Sequence, residues 1–251
     1  MRTNRIPSPS SRRLRPLAIA LAFASVTARA DSLADVRRSL IRLPGKAPMH
    51  AVLDIVRSRH SQGRFLNDDF EGSASIDVSS DGSAIDVRIQ RDLIDRAGAH
   101  RATAMTLSEV SPTAIDNALD FSISLLRLIS HGRVLEERQV MYEGRAARLL
   151  RVHLPPNAES EDATAPKISD DSVTLWLGEG LVPVAAKRVR KGTAGILLVR
   201  IDTVRTETWK FATYGDHLVA VRFEDRSLVS GSLQHGDAAT VWSVRSAELR
   251  P

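Results

Sequence analysis

Between Phe70 and Ile89 the chain alternates strictly between two kinds of side chain. Phe70, Gly72, Ala74, Ile76 and Val78 fall on one parity, and Glu71, Ser73, Ser75 and Asp77 on the other. After Ser79-Ser80-Asp81-Gly82 the pattern resumes, with Ile85, Val87 and Ile89 set against Asp86 and Arg88. Successive strand side chains point to opposite faces, so each run is a strand with one apolar and one wet face. The Asp-Gly pair marks the turn of a β-hairpin. Slipping one strand by one residue would bury its charged set, which fixes the register. Such a hairpin has to bury its apolar face against the rest of the fold, and this excludes an all-helical bundle.

The remaining elements follow from period and punctuation. Leu33, Val36, Leu40 and Leu43 recur at helical spacing before Pro44-Gly45, which predicts a helix over 32–42. Met49–Arg59 reads as a strand, and 90–106 as helical pieces interrupted by Gly98. Ser111-Pro112 opens a helix of roughly 18–20 residues that ends at His131-Gly132. The chain is then mostly β. Val134–Tyr142 and Arg145–Leu154 flank a Glu143-Gly144 turn. The polar stretch 155–171 is expected to be a mobile loop. Val173–Leu177 and Val182–Arg190 form another hairpin, Gly195–Phe211 one long strand, His217–Arg226 its return, and Thr240–Ala247 the last strand. Residues 227–239 read as a small, polar connection. About nine strands joined mostly by short turns predict antiparallel neighbours, and the segregated helices make the class α+β.

The first 30 residues contain six arginines and no acid, then the apolar run 17–24, then Ala28-Arg29-Ala30. A basic start, a short apolar stretch and small residues at the end describe a secretory signal peptide, so residues 31–251 are expected to be one mature domain. Ser11-Arg12-Arg13 resembles a twin-arginine signal, but Arg15-Pro16 stand where that signal wants apolar residues. The whole chain of 251 residues carries +5. Without those six arginines Lys+Arg falls from 35 to 29 against 30 acids, so the mature chain is close to neutral. That removes the basic surface a nucleic-acid partner would need. The absence of Cys excludes disulfides, thiol nucleophiles and Cys-ligated zinc.

A search for chemistry returns little. There is no glycine-rich phosphate loop, no G-x-S-x-G elbow and no H-E-x-x-H, and the seven His are scattered. The doublets Asp68-Asp69, Glu136-Glu137 and Asp170-Asp171 place neighbours on opposite faces of a strand, not two carboxylates over one substrate. No catalytic residue, metal ligand or cofactor is expected. Lys187–Lys191 is the basic run of the mature chain, with Arg188 and Arg190 on one face and Lys187 on the other. It reads as an exposed edge strand, with Arg188 and Arg190 as candidate partner-binding residues. Trp209, Phe211, Phe223 and Trp242 are expected to share a core face, and Trp176 to lie opposite Val173, Leu175 and Leu177. Ile196-Leu197-Leu198-Val199 is apolar on both parities and would need cover on both sides of the sheet.

The stretch from Leu175 to Val184, a strand, a Gly-containing turn and a Pro-bearing return, resembles the periplasmic outer-membrane lipoprotein-carrier superfamily. The order of elements is similar too. The resemblance implies a strongly curved antiparallel half-barrel with helices covering one face and an apolar cavity between. It also implies a periplasmic or extracellular protein without chemistry that holds an acyl chain, a lipid or a lipidated protein. Alternation gives Ile76, Val78, Ile85, Val87, Leu197, Val199 and Val219 as candidate lining residues. The alternative is an envelope interaction or sensing module with a filled interior, capturing a protein partner along Val184–Lys191 by strand addition. A hydrolase with dispersed Ser, His and carboxylate is a third, weaker reading.

Overall fold

In the computed structural model the chain is described over residues 29–64, 67–82, 85–89, 100–108, 110, 112–155, 167–196 and 199–250. The signal-like segment, residues 90–99 and the centre of the 155–171 stretch fall outside these. Helix α1 (Arg29–Ile41) is followed by strands β1 (Met49–Gly63), β2 (Asp68–Ser80) and β3 (Ile85–Ile89). Next come helices α2 (His100–Ser108), α3 (Pro112–Leu119) and α4 (Ser122–Ile129). The rest is β4 (Arg133–Tyr142), β5 (Arg145–His153), β6 (Lys167–Leu177), β7 (Pro183–Ile196), β8 (Val199–Tyr214), β9 (His217–Gly231) and β10 (Gln234–Leu249).

The ten strands form one sheet in the order β3-β2-β1-β10-β9-β8-β7-β6-β5-β4. Every pairing between them is antiparallel. Two meanders, β1–β3 and β4–β10, are stitched where β1 pairs with β10. The sheet is open, since β3 and β4 stand at its two ends. Among the described residues no helix is long and apolar enough to cross a membrane.

One row of cross-strand partners explains why the sheet buries a single face here. Ala74, Ile55, Trp242, Phe223, Trp209, Ala186, Leu175 and Leu150 stand side by side across eight strands. All of them are buried except Phe223, which is partly so. Directly opposite side chains on one face are near enough to pack, so this row is continuous. Leu33, Val36 and Leu40 of α1 and Leu125 and Ile129 of α4 join it at the β5–β6 side. Ile115, Ala118 and Leu119 of α3 join it at the β1–β2 side, with Leu53 and Ile76. Phe223 packs against both groups.

The pairing of β9 with β10 is partial. The two pair only over Arg222–Ser230 of β9, and the β8–β9 register shifts between Lys210 and Phe211. In the part of β9 not paired with β10, Leu218 belongs to the first core cluster and Val219 to the second, both fully buried. A strand buried on both faces thus exists, but at Leu218–Val219. Ile196 and Val199 instead pair with each other, so Gly195–Phe211 is not one strand but the end of β7 and, from Val199, β8.

Other boundaries also moved. The helix expected from Pro112 onward breaks into α3 and α4, because its backbone is drawn elsewhere. The Phe121 N–H donates to Leu218 O at 2.8 Å, in the part of β9 that β10 does not pair with. The Asp120 carboxylate accepts the Ser122 N–H at 3.1 Å and its hydroxyl at 2.7 Å, competing with helical bonding as Asp side chains do. Residues 227–239 are strand on both sides of a short turn, with Ser230 opposite His235, since a polar face is compatible with a strand that is wet on that side. Lys167–Asp171 belongs to β6, which shortens the expected loop. Glu143 and Gly144 both have positive φ, 48° and 78°, the two-residue turn whose twist matches its strands.

Candidate functional site

Over the middle of the aromatic row lies a cavity of about 380 Å³. Ala114, Asn117 and Ala118 of α3 wall it, with Phe121 at the helix break. Trp209, Ala220, Phe223 and Trp242 line it from the sheet, and Arg205, Glu207, Asp225 and Thr240 line its other end. The aromatic end is built by contacts in series. Phe121 lies 5.1 Å from Trp209 and 5.3 Å from Phe211 between ring centroids. Trp209 stacks on Phe223 at 5.4 Å, and Phe223 meets Trp242 edge-on at 5.9 Å. These are the spacings at which aromatic pairs attract. The Nε1–H of Trp242 is buried and has no acceptor among the described residues.

The polar end is set by strand alternation. Arg205, Glu207 and Trp209 occupy every second position of β8, so the two charges share the face of the buried indole. Arg205 donates to both oxygens of Asp225 at 2.9 and 2.7 Å and lies 3.3 Å from Glu207. Its pKa is raised, first by the hydrogen bond to Asp225, against the lowering effect of burial. On β7, Arg188 donates to both oxygens of the buried Asp171 at 2.8 and 2.6 Å and lies 3.6 Å from Glu207. Arg190 stands directly opposite Arg205 and reaches Asp171 only at 3.6 Å. Burial, then the charge of Arg188, holds the Arg190 pKa below the usual arginine value.

The residues chosen from sequence are distributed differently. Ile76, Val78 and Val219 come together, but as fully buried members of the second core cluster and not along the cavity. Val87 is exposed on β3, the strand at one end of the sheet. Ile85 pairs with Ser80 at the start of β3, and Val199 with Ile196 at the far end of the β7–β8 hairpin. Leu197 lies outside the described residues. Lys187–Lys191 is not an edge. Strand β7 is paired with β6 on one side and β8 on the other, so strand addition along Val184–Lys191 has no free backbone to use. Arg188 and Arg190 do share a face opposite Lys187, and that face holds Asp171 and Glu207. The four late-strand aromatics share a core region as expected, and Trp176 packs on Tyr142 at 5.3 Å away from Val173, Leu175 and Leu177. Phe121 was missed, since its place depends on the helix break.

A second cavity, about 590 Å³, lies beside the β4–β5 turn, among Tyr142, Ala147, Val184, Lys210, Phe211 and Val221. The Glu143–Lys210 ion pair, formed by two largely exposed side chains, stands beside it. It lacks the linked aromatic wall of the first.

The chain matches no family model and no curated protein. It is similar to a solved structure of a DUF1329 family protein from Desulfovibrio piger, at 7% identity and a TM-score of 0.30, over 87% of this chain and 92% of that one. It is also similar to MucB in a complex with MucA(peri), at 12% identity and a TM-score of 0.19, over 87% of this chain and 99% of that one.

Proposed function

We propose that this chain is an exported binding protein that holds the acyl part of a lipid or lipidated protein in the aromatic cavity and performs no chemistry. The observation that carries this is the cavity itself. Four aromatic side chains, Phe121, Trp209, Phe223 and Trp242, line it under the roof of α3. Ligand sites are mostly apolar hollows of a few hundred cubic ångströms with a few placed polar groups. Each buried methylene stabilises the complex by about 0.8 kcal/mol. The basic, apolar and small-residue order of the first 30 residues supports export to the periplasm.

The test uses the protein's own indoles. Trp209 and Trp242 line the cavity and Trp176 packs outside it on Tyr142. In a Trp176→Phe variant, dodecanol is expected to produce a saturable change in indole emission. No change at any concentration below dodecanol's solubility limit overturns the reading.

The alternative, an envelope interaction or sensing module, is favoured by one feature. The sheet is open, and among the described residues β3 and β4 each have one side without a neighbouring strand, which a partner strand could use. Its expected sign is capture of an envelope protein that survives filling of the cavity and is lost when proline is placed in β3 or β4.

A further inference from the structure

Beyond the aromatic rings, the same face of the sheet carries an unusual set of arginines. Register places Arg57, Thr240, Asp225, Glu207 and Arg188 in one row, two residues along from the aromatic row. The next row holds Arg59, Ala238, Ser227, Arg205, Arg190 and Asp171. Five guanidinium groups therefore stand on this face with three carboxylates, and Asp68 adds a fourth by pairing with Arg59. The cations exceed the anions.

The excess is concentrated beside the cavity. Arg190 and Arg205 are direct cross-strand partners, and like charges placed opposite one another repel. Arg205 holds both oxygens of Asp225. Arg188 takes both oxygens of Asp171 within hydrogen-bond distance, which leaves Arg190 outside it at 3.6 Å. The Nε–H of Arg190 is buried and unpartnered among the described residues. Arg57 also has its pKa lowered, by burial first and then by the charge of Arg59. A guanidinium offers a planar fork of donors suited to a carboxylate or phosphate, and a half-buried Arg190 whose nearest carboxylate is already held by Arg188 favours a further anion. Thr240, Ala238 and Ser227 keep the floor between these arginines low.

We infer that the arginine rows around Arg190 and Arg205 bind the anionic head of a single-chain amphiphile whose apolar chain occupies the adjoining aromatic cavity. This rests on the binding reading above and specifies its ligand: an acyl chain ending in a carboxylate or phosphate, held at both ends by one face of the sheet.

The test compares dodecanoate, dodecanol and acetate on the full mature chain, read by indole emission and calorimetry. Dodecanoate is expected to bind at least ten-fold more tightly than dodecanol, and acetate far more weakly than either. Raising salt should weaken dodecanoate and not dodecanol, a comparison that needs no variant. Arg190→Gln should bring the ratio of the two affinities toward one, with its urea midpoint confirming that it folds. Equal affinity of dodecanoate and dodecanol overturns the head-group site while leaving the apolar cavity standing. Failure of both chains to bind overturns the cavity reading as well. Acetate binding as tightly as dodecanoate overturns the coupling of head and chain and leaves a small-anion site.

Discussion

Phe121 joins the helices to the sheet, so shortening it tests the architecture most sharply. Its side chain is 7% exposed and touches Trp209 and Phe211, and its N–H bonds to Leu218 O. Phe121→Ala keeps the backbone bond and removes the ring. A buried Phe→Ala change costs about 3–5 kcal/mol, through lost transfer energy and the void left behind. Here the lower end applies, since the ring already borders a cavity and has fewer neighbours to lose on that side. We expect a loss of about 3 kcal/mol. With a urea slope of about 3 kcal/mol/M, the midpoint falls by about 1 M and the slope is unchanged. Phe121→Leu, which refills most of the volume, should lose only about 1 kcal/mol. The assay is equilibrium urea unfolding followed by far-ultraviolet circular dichroism. A loss below about 1 kcal/mol for Phe121→Ala would refute the claim that the α3–α4 junction rests on the aromatic row.

Three further outcomes are expected. Arg188→Ala strands the buried Asp171 carboxylate and should cost about 3 kcal/mol in the same assay, most of it recovered in Arg188→Met/Asp171→Leu. Gly144→Ala meets no atom within 4 Å but must hold φ near +78°, so it should cost about 1 kcal/mol through backbone conformation alone. At the Asp216 carboxyl, burial acts upward, but the Lys46 and Ala47 N–H groups and His217 outweigh it and hold the pKa below the ordinary carboxylate value. A depressed folded value gives stability that is present above the unfolded pKa and lost as pH falls through the folded one. Thermal midpoints should therefore drop below about pH 4, and Asp216→Asn should flatten that acid limb.

How much of this was legible in the chain depends on the range of the forces involved. Alternation between Phe70 and Ile89 gave β2, β3 and their pairing, because a half-buried strand writes its two faces into successive residues. Glu143-Gly144 gave its turn for an equally local reason. The break at Asp120-Phe121 was invisible, since the acceptor for the Phe121 N–H is Leu218, far along the chain. The basic run on β7 looked like an edge because its carboxylate partners, Asp171 and Glu207, come from the two flanking strands. One signal of the site does lie in the chain. Arg205 and Glu207 stand two and one alternations from the buried Trp209, which places two charges on a core face. Apolar alternation alone finds tightly packed core such as Ile76 and Val78 before it finds a hollow.

The most direct measurement is native mass spectrometry of the protein purified from its own cell envelope, beside a denatured sample. The account predicts an additional mass of a few hundred daltons that is lost on denaturation, extracts into organic solvent and carries an acidic head on a single chain. A bare polypeptide mass, in protein that also fails to take up dodecanoate when it is supplied, would contradict it.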